Sequence, residues 1–272
     1  MYPHPFVYRR AKSLAEAEKI FGDHENASFL SGGHTLIPTM KSRLAKPDVL
    51  IDLRGISELH GVSRGVGRID VGAASTHRIV STSPEIADAI PALAVLAGSI
   101  ADPQVRNVGT IGGSVANNDP AADYPCAVLG LGAQIVTSRR TMEAKEYFLG
   151  LFSTALQPGE IIVRFSFPVP DSAGYGKLRS QASRYATAGS FVSRTQGTVR
   201  VAVTGSGSDG VFRWREAELA LSKEFSPNVF RDLKPDSSSM LSDLHCDAEY
   251  RASVVAKVTQ WAVENMGGGY VR

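Results

Sequence analysis

Ser31-Gly32-Gly33-His34-Thr35-Leu36-Ile37-Pro38 sets two adjacent glycines between hydroxyl residues, with a histidine beside them. A short apolar run, Phe29-Leu30, leads into it, and residues 36–44 read as a helix with Pro38 in its first turn, closed by Lys46-Pro47. Strand, glycine turn and helix thus follow one another. Paired glycines allow positive φ and close backbone approach, so several amides can point at one anion beside the helix start. Thr35 adds a hydroxyl where a phosphate oxygen would sit, and His34 reads as support within the loop. A second diglycine segment, Thr110-Ile111-Gly112-Gly113-Ser114, carries two more hydroxyls. One such segment is a common turn. Two of them, each joining paired glycines to Ser or Thr, suit a pyrophosphate and point to a dinucleotide ligand.

Ahead of this stretch, Ser13-Leu14-Ala15-Glu16 is a capping box, followed by Ala17, Ile20 and Phe21 at helical spacing and by Gly22 as the stop. Val49-Leu50-Ile51-Asp52-Leu53 is the apolar run of a buried strand. The opening is therefore helix, strand, glycine turn, helix, strand. Further on, Arg68-Ile69-Asp70-Val71 alternates as a strand, Ser83-Pro84-Glu85 starts a helix, and residues 91–100 form a small-residue apolar helix. Residues 101–125 have no period for most of their length. Rich in Gly, Asn and Asp yet lightly charged, they read as a functional loop. A helix at 126–131, strands near 134–137 and 160–167, and a boundary at Pro168-Val169-Pro170-Asp171 follow. Strands at 177–179, 191–193 and 199–204, then helices around 214–221 and 249–263, complete the chain.

Composition narrows the function classes. The 272 residues are 43% hydrophobic and 21% charged, enough for two or three subdomains with real cores. A formal charge of +2 gives no reason to expect nucleic acid or an anionic membrane. Cys126 and Cys246 lie far apart, and none of the six histidines pairs at ligand spacing. That argues against a disulfide framework, a zinc site or an iron–sulfur cluster held by this chain alone. The first residues lack the basic and apolar regions of a signal peptide, and no apolar run reaches membrane-spanning length, so a soluble cytoplasmic protein is expected. Gly205-Ser206-Gly207-Ser208-Asp209-Gly210 matches G-x-G-x-x-G, but Val211-Phe212-Arg213-Trp214 reads as a strand, making Ser208-Asp209-Gly210 a hairpin turn. His77 and His245 read as structural or interface residues, and Cys126 as a small buried one.

Residues 31–38, continued by Met40-Lys41-Ser42-Arg43-Leu44-Ala45, closely resemble the first FAD signature of the medium subunits of molybdenum hydroxylases, the xanthine dehydrogenase and aerobic carbon monoxide dehydrogenase family. Ala101-Asp102-Pro103-Gln104-Val105-Arg106-Asn107, running into Thr110–Ser114 and then Asp119-Pro120-Ala121-Ala122-Asp123-Tyr124-Pro125, resembles the second. The likeness continues through Pro158-Gly159-Glu160-Ile161, Lys177 and Tyr185-Ala186 to Ser242-Asp243-Leu244-His245 and Ala248-Glu249-Tyr250-Arg251. It implies an α+β protein: a two-subdomain FAD-binding fold of the vanillyl-alcohol-oxidase and molybdopterin-dehydrogenase type (1–57 and 58–170), then a C-terminal α+β domain (174–272).

The same resemblance implies a non-covalent FAD held by Ser31, Gly32, Gly33, His34 and Thr35 together with Thr110, Ile111, Gly112, Gly113 and Ser114. Asp123 and Lys177 would lie on the ribityl or flavin-ring side, with Tyr185 in the segment covering the isoalloxazine. Ser31 and Thr35 replace the family's usual Ala and Ser, and Ser183-Arg184 replaces its Gly-Asp. Molybdopterin and [2Fe-2S] clusters would reside in a large and a small partner subunit, in a dimer of heterotrimers. This chain would pass electrons from the iron–sulfur subunit to an external acceptor, with no catalytic or metal-binding residue of its own. The alternative is a self-contained flavin oxidase of the vanillyl-alcohol oxidase type, which would need acid/base residues in its own substrate domain.

Overall fold

The computed structural model describes residues 2–272 and contains three principal sheets. The first has three parallel strands in the order Val7–Arg10, Val49–Asp52, Ala27–Leu30. All four residues of the central strand are buried, as its unbroken apolar run requires. The helix Leu14–Gly22 starts where the capping box places it. Ser13 Oγ accepts the Glu16 amide, and the Glu16 carboxylate reaches back to the amide of Lys12. The helix after the first diglycine turn spans Leu36–Lys41, shorter than expected, because Arg43 turns the chain out at φ 61°.

The second sheet is antiparallel, in the order Val62–Gly65, Arg68–Gly72, Ile162–Pro168, Gln134–Thr137, Thr141–Glu143. Ile69, Val71, Phe165 and Phe167 pack with Leu93, Leu96, Ile111 and Val128 in one core. The register against Gln134–Thr137 slips between Ile162 and Arg164. An extra residue resets the alternation of side chains. Ile162 joins the core of the second sheet, while Val163 packs into the core around the first with Val49 and Ile51.

The third sheet runs Phe212–Arg213, Thr198–Thr204, Ala186–Thr195, Ser172–Arg179, Gly268–Val271, antiparallel except for the last pair. Alternation along Ser172–Arg179 decides what covers it. Gly174 and Gly176 face the helix Ala248–Glu264, whose Ala262 and Val258 carbonyls lie 2.0 Å from where a Cβ would stand, so only glycine fits. Tyr175 and Lys177 face the other way, toward the helix Tyr124–Leu131, which is buried over its full length. That helix belongs to the core of the second sheet and also touches the third through Gly130 and Phe191.

Residues 101–125 differ from the expected irregular loop. They contain two short helices, Pro103–Val108 and Ile111–Asn117, capped by Asp102 and Thr110. Neither completes two full turns, so no helical period accumulates in the sequence, although both caps are visible there. Phe212–Arg213 pairs with Thr198–Thr204 as the hairpin reading requires. Among the described residues no helix is long and apolar enough to cross a membrane.

Candidate functional site

The two diglycine segments, 79 residues apart in sequence, close on each other: Ser31 Oγ and Thr110 Oγ1 are 3.0 Å apart. A Cβ on Gly32 would stand 2.5 Å from the Val108 carbonyl oxygen and 2.7 Å from Gly109 Cα, so a side chain there would hold the segments apart. Gly33 has φ +70°, which glycine adopts without strain. Between and beside the segments lies a cavity of about 760 Å³. Its wall includes Ser31, Gly32, Gly33, His34 and Thr35 from the first segment and Thr110, Gly112, Gly113 and Ser114 from the second.

The segments contribute differently. Among the described residues, the amides of Gly32, Gly33, His34 and Thr35 have no acceptor within the protein. Four adjacent N–H groups without partners are donors available to an anion. The second segment spends its amides internally. Ile111 N–H donates to the Ser75 carbonyl, Gly112 N–H to that of Ala73, and Gly113 N–H to Thr110 Oγ1. What it offers the cavity is hydroxyls and the bare face of Gly113. Gly112 is a packing glycine, since a Cβ there would stand 2.6 Å from Ala73. Ile111 is wholly buried and belongs to the hydrophobic core.

Asp123 sits on the cavity wall, just ahead of the buried helix, with 4% of its surface exposed. Lys177, expected beside a ligand, does not line the cavity. It has no exposed surface and lies behind Asp123, its Nζ 2.8 Å from Oδ1 and 2.9 Å from Oδ2. The Tyr175 hydroxyl donates to Oδ1 of the same carboxylate, and burial holds that phenol well above its usual range. Asp123 therefore faces the cavity as a carboxylate whose charge is balanced from behind. Cys126 donates its S–H to the Asp123 carbonyl, and burial pushes its thiol upward, so a reactive thiolate is disfavoured.

Tyr185 stands at the rim, 47% exposed, in a segment closed by the Ser180 amide on the Tyr185 carbonyl and pinned by Arg184 Nη1 on the Ala101 carbonyl. Desolvation first, then Asp119 and Asp123, raise its phenol pKa. His77, read from sequence as structural, proves to be part of the cavity wall. Only its place after the capping Thr76 hinted at an ordered position. Leu53, Leu59, Ala73, Ala74, Leu156 and Ile162 add apolar surface to a wall that also carries Ser28, Thr39, Asn117, Asp119 and Glu160. Free amides and hydroxyls joined to a cavity of this size with apolar stretches in its wall fit an FAD, which combines a pyrophosphate with flat aromatic rings.

Residues 4–170 match the family described as the FAD binding domain in molybdopterin dehydrogenase. The chain belongs to that family. It is an FAD-binding medium-type subunit, an oxidoreductase component of the molybdenum hydroxylases. It is 33% identical to the carbon monoxide dehydrogenase medium chain of Hydrogenophaga pseudoflava, each chain covered to 97%. To the glyceraldehyde dehydrogenase medium chain of Sulfolobus acidocaldarius the identity is 31%, covering 98% of this chain and 100% of the relative. Among solved structures, the Cu,Mo-CO dehydrogenase superposes with a TM-score of 0.86 at 32% identity, covering 97% of this chain and 98% of that one. Quinoline 2-oxidoreductase from Pseudomonas putida 86 gives 0.83 at 28%, covering 97% of both. The medium-subunit resemblance and the α+β fold expected from sequence hold.

Proposed function

We propose that the chain binds one FAD non-covalently in the cleft between its diglycine segments and relays electrons through it inside a larger molybdenum hydroxylase. The observation that carries this reading is the convergence of the two segments on one cavity, one side supplying free amides and the other hydroxyls. The Gly32–Thr35 amides, with Ser31, Thr110 and Ser114, hold the pyrophosphate. Asp123 accepts a hydrogen bond from a ligand hydroxyl, while Lys177 and Tyr175 fix its rotamer from behind. Tyr185 closes the open rim. When bound, FAD supplies the redox chemistry, taking electrons in pairs or singly. The chain's residues bind and orient it and keep water from its buried side.

A small iron–sulfur subunit would supply electrons, a large molybdopterin subunit would oxidise the substrate, and this chain would deliver electrons to an external acceptor. A dimer of such heterotrimers is the assembly proposed. The identity of the substrate would lie with the large subunit. Co-expression with an iron–sulfur subunit and a molybdopterin subunit, followed by purification through a tag on this chain, tests the reading. It predicts co-elution of two partners and a flavin absorption band of one FAD per chain. A chain purified alone, without flavin and without affinity for added FAD, would contradict it.

A further inference from the structure

His77 is an oddity of the cavity wall. It is 6% exposed, and its Nδ1 is sealed from solvent with no hydrogen-bond partner. Nε2 has no partner among the described residues either, and it faces Gly109, where a Cβ would come within 2.6 Å of it. Gly109 therefore makes room for the ring beside Thr110. The His77 amide donates to the Gly109 carbonyl, and Thr76 and Thr110 pair across an isolated bridge, so the imidazole is fixed against the second diglycine segment. A buried imidazole with no partner, fixed beside Thr110 where the second segment meets Ser31 of the first, lacks one thing, an anion.

We propose that His77 is a proton site coupled to the ligand: it takes up a proton when the pyrophosphate of FAD enters the cleft, so the chain binds FAD more tightly as the pH falls. The inference rests on the FAD reading given above. The titratable and charged groups facing His77 are His34 from the first segment and Arg106 from the helix Pro103–Val108, with the Tyr124 ring of the buried helix centred 5.3 Å from the imidazole and Arg78 next along its own helix. Of the four carboxylates on the cavity wall, Asp102 accepts the Val105 amide, Asp119 accepts the Ala121 amide, Asp123 is paired with Lys177 and Glu160 with Arg140. No carboxylate thus attends His77, and the Arg106 guanidinium beside it opposes a further positive charge. Desolvation first, then His34 and Arg106, hold its pKa down at about 4. A bound dianion reverses the sign of that field.

In the ligand-free chain His77 is neutral above about pH 4. With the pyrophosphate in place its pKa rises, so binding takes up a proton between the two values and affinity falls as pH rises through that window. The pyrophosphate is fully ionised throughout and contributes no titration of its own. Titration of FAD into the flavin-free full chain at pH 5.5, 6.5 and 7.5 should show Kd rising at least tenfold across the range. Calorimetry in buffers of different ionisation enthalpy should give net proton uptake on binding at pH 6.5. His77→Gln should flatten the pH dependence, whereas His34→Gln should keep it.

A flat wild-type profile with no proton uptake overturns the proposal, and so does a dependence that survives in His77→Gln or vanishes in His34→Gln. The calorimetric arm uses the wild-type chain and needs no variant to fold. Absence of FAD binding at every pH would overturn the FAD reading itself, a result distinct from pH-independent binding.

Discussion

Replacing Lys177 by Met isolates what the buried ion pair does. Lys177 is fully buried and Asp123 nearly so, with Nζ–Oδ separations of 2.8 and 2.9 Å. At an effective dielectric of about 20, unit charges at 2.8 Å attract by about 6 kcal/mol, most of which offsets the loss of hydration of both ions. Met fills a similar volume but leaves the carboxylate buried, with only the Tyr175 hydroxyl to satisfy it. Removing one partner of such a pair costs about 3–5 kcal/mol. For a chain of this size that corresponds to a fall in Tm of roughly 6–20 °C. Adding Asp123→Asn to Lys177→Met removes the stranded charge and keeps an acceptor for Tyr175, so most of the loss should return. Urea unfolding of the flavin-free proteins, followed by circular dichroism, gives the four corners of the cycle without a ligand contribution. A cost below about 1 kcal/mol for Lys177→Met, or a double variant no more stable than the sum of the singles, would refute the argument.

The two glycines of the second segment should behave differently. Gly113→Val places its Cβ 3.0 Å from Thr110 Oγ1 and otherwise toward the cleft, at a helical φ, so FAD affinity should drop at least tenfold with Tm nearly unchanged. Gly112→Val drives its Cβ to 2.6 Å from the Ala73 backbone, and a stability loss of about 1–3 kcal/mol or more is expected in thermal melts even without flavin. Because burial raises its thiol pKa, Cys126 should stay unmodified by a thiol reagent at pH 8 in the folded chain while Cys246 reacts, which mass spectrometry resolves. Acid precipitation of the holoprotein should release its FAD to the supernatant, and flavin fluorescence left on the polypeptide would show a covalent link.

The elements legible in the sequence are those with strong local chemistry. Ser13 and Ser83 cap helices where the capping signals place them, and the run Val49–Asp52 is the buried central strand. Val7–Arg10 escaped because it is an edge strand with every residue exposed, carrying two arginines and no alternation. The helices Pro103–Val108 and Ile111–Asn117 escaped because six or seven residues do not establish a period. Within the site, residue types were legible but orientation was not. The sequence shows two diglycines, yet only tertiary packing makes Gly112 a spacer against Ala73 and leaves Gly113 facing the cleft. Likewise the parity of the strand Ser172–Arg179, which turns Lys177 away from the cavity and onto Asp123, depends on which helix covers each face. His77 carried no motif at all. Its role comes from the cavity around it.

Anaerobic stopped-flow spectroscopy tests most directly whether this chain relays electrons or generates them. The flavin band near its visible maximum is followed after mixing a small aldehyde, alcohol, carbon monoxide or N-heterocycle with the lone FAD-loaded chain and, separately, with the complete complex. No bleaching is expected in the lone chain on the timescale of turnover, with rapid bleaching in the complex by the substrate its large subunit accepts. Rapid bleaching of the lone chain by any of these compounds would contradict the relay, because the substrate would then be oxidised at the flavin of this chain itself.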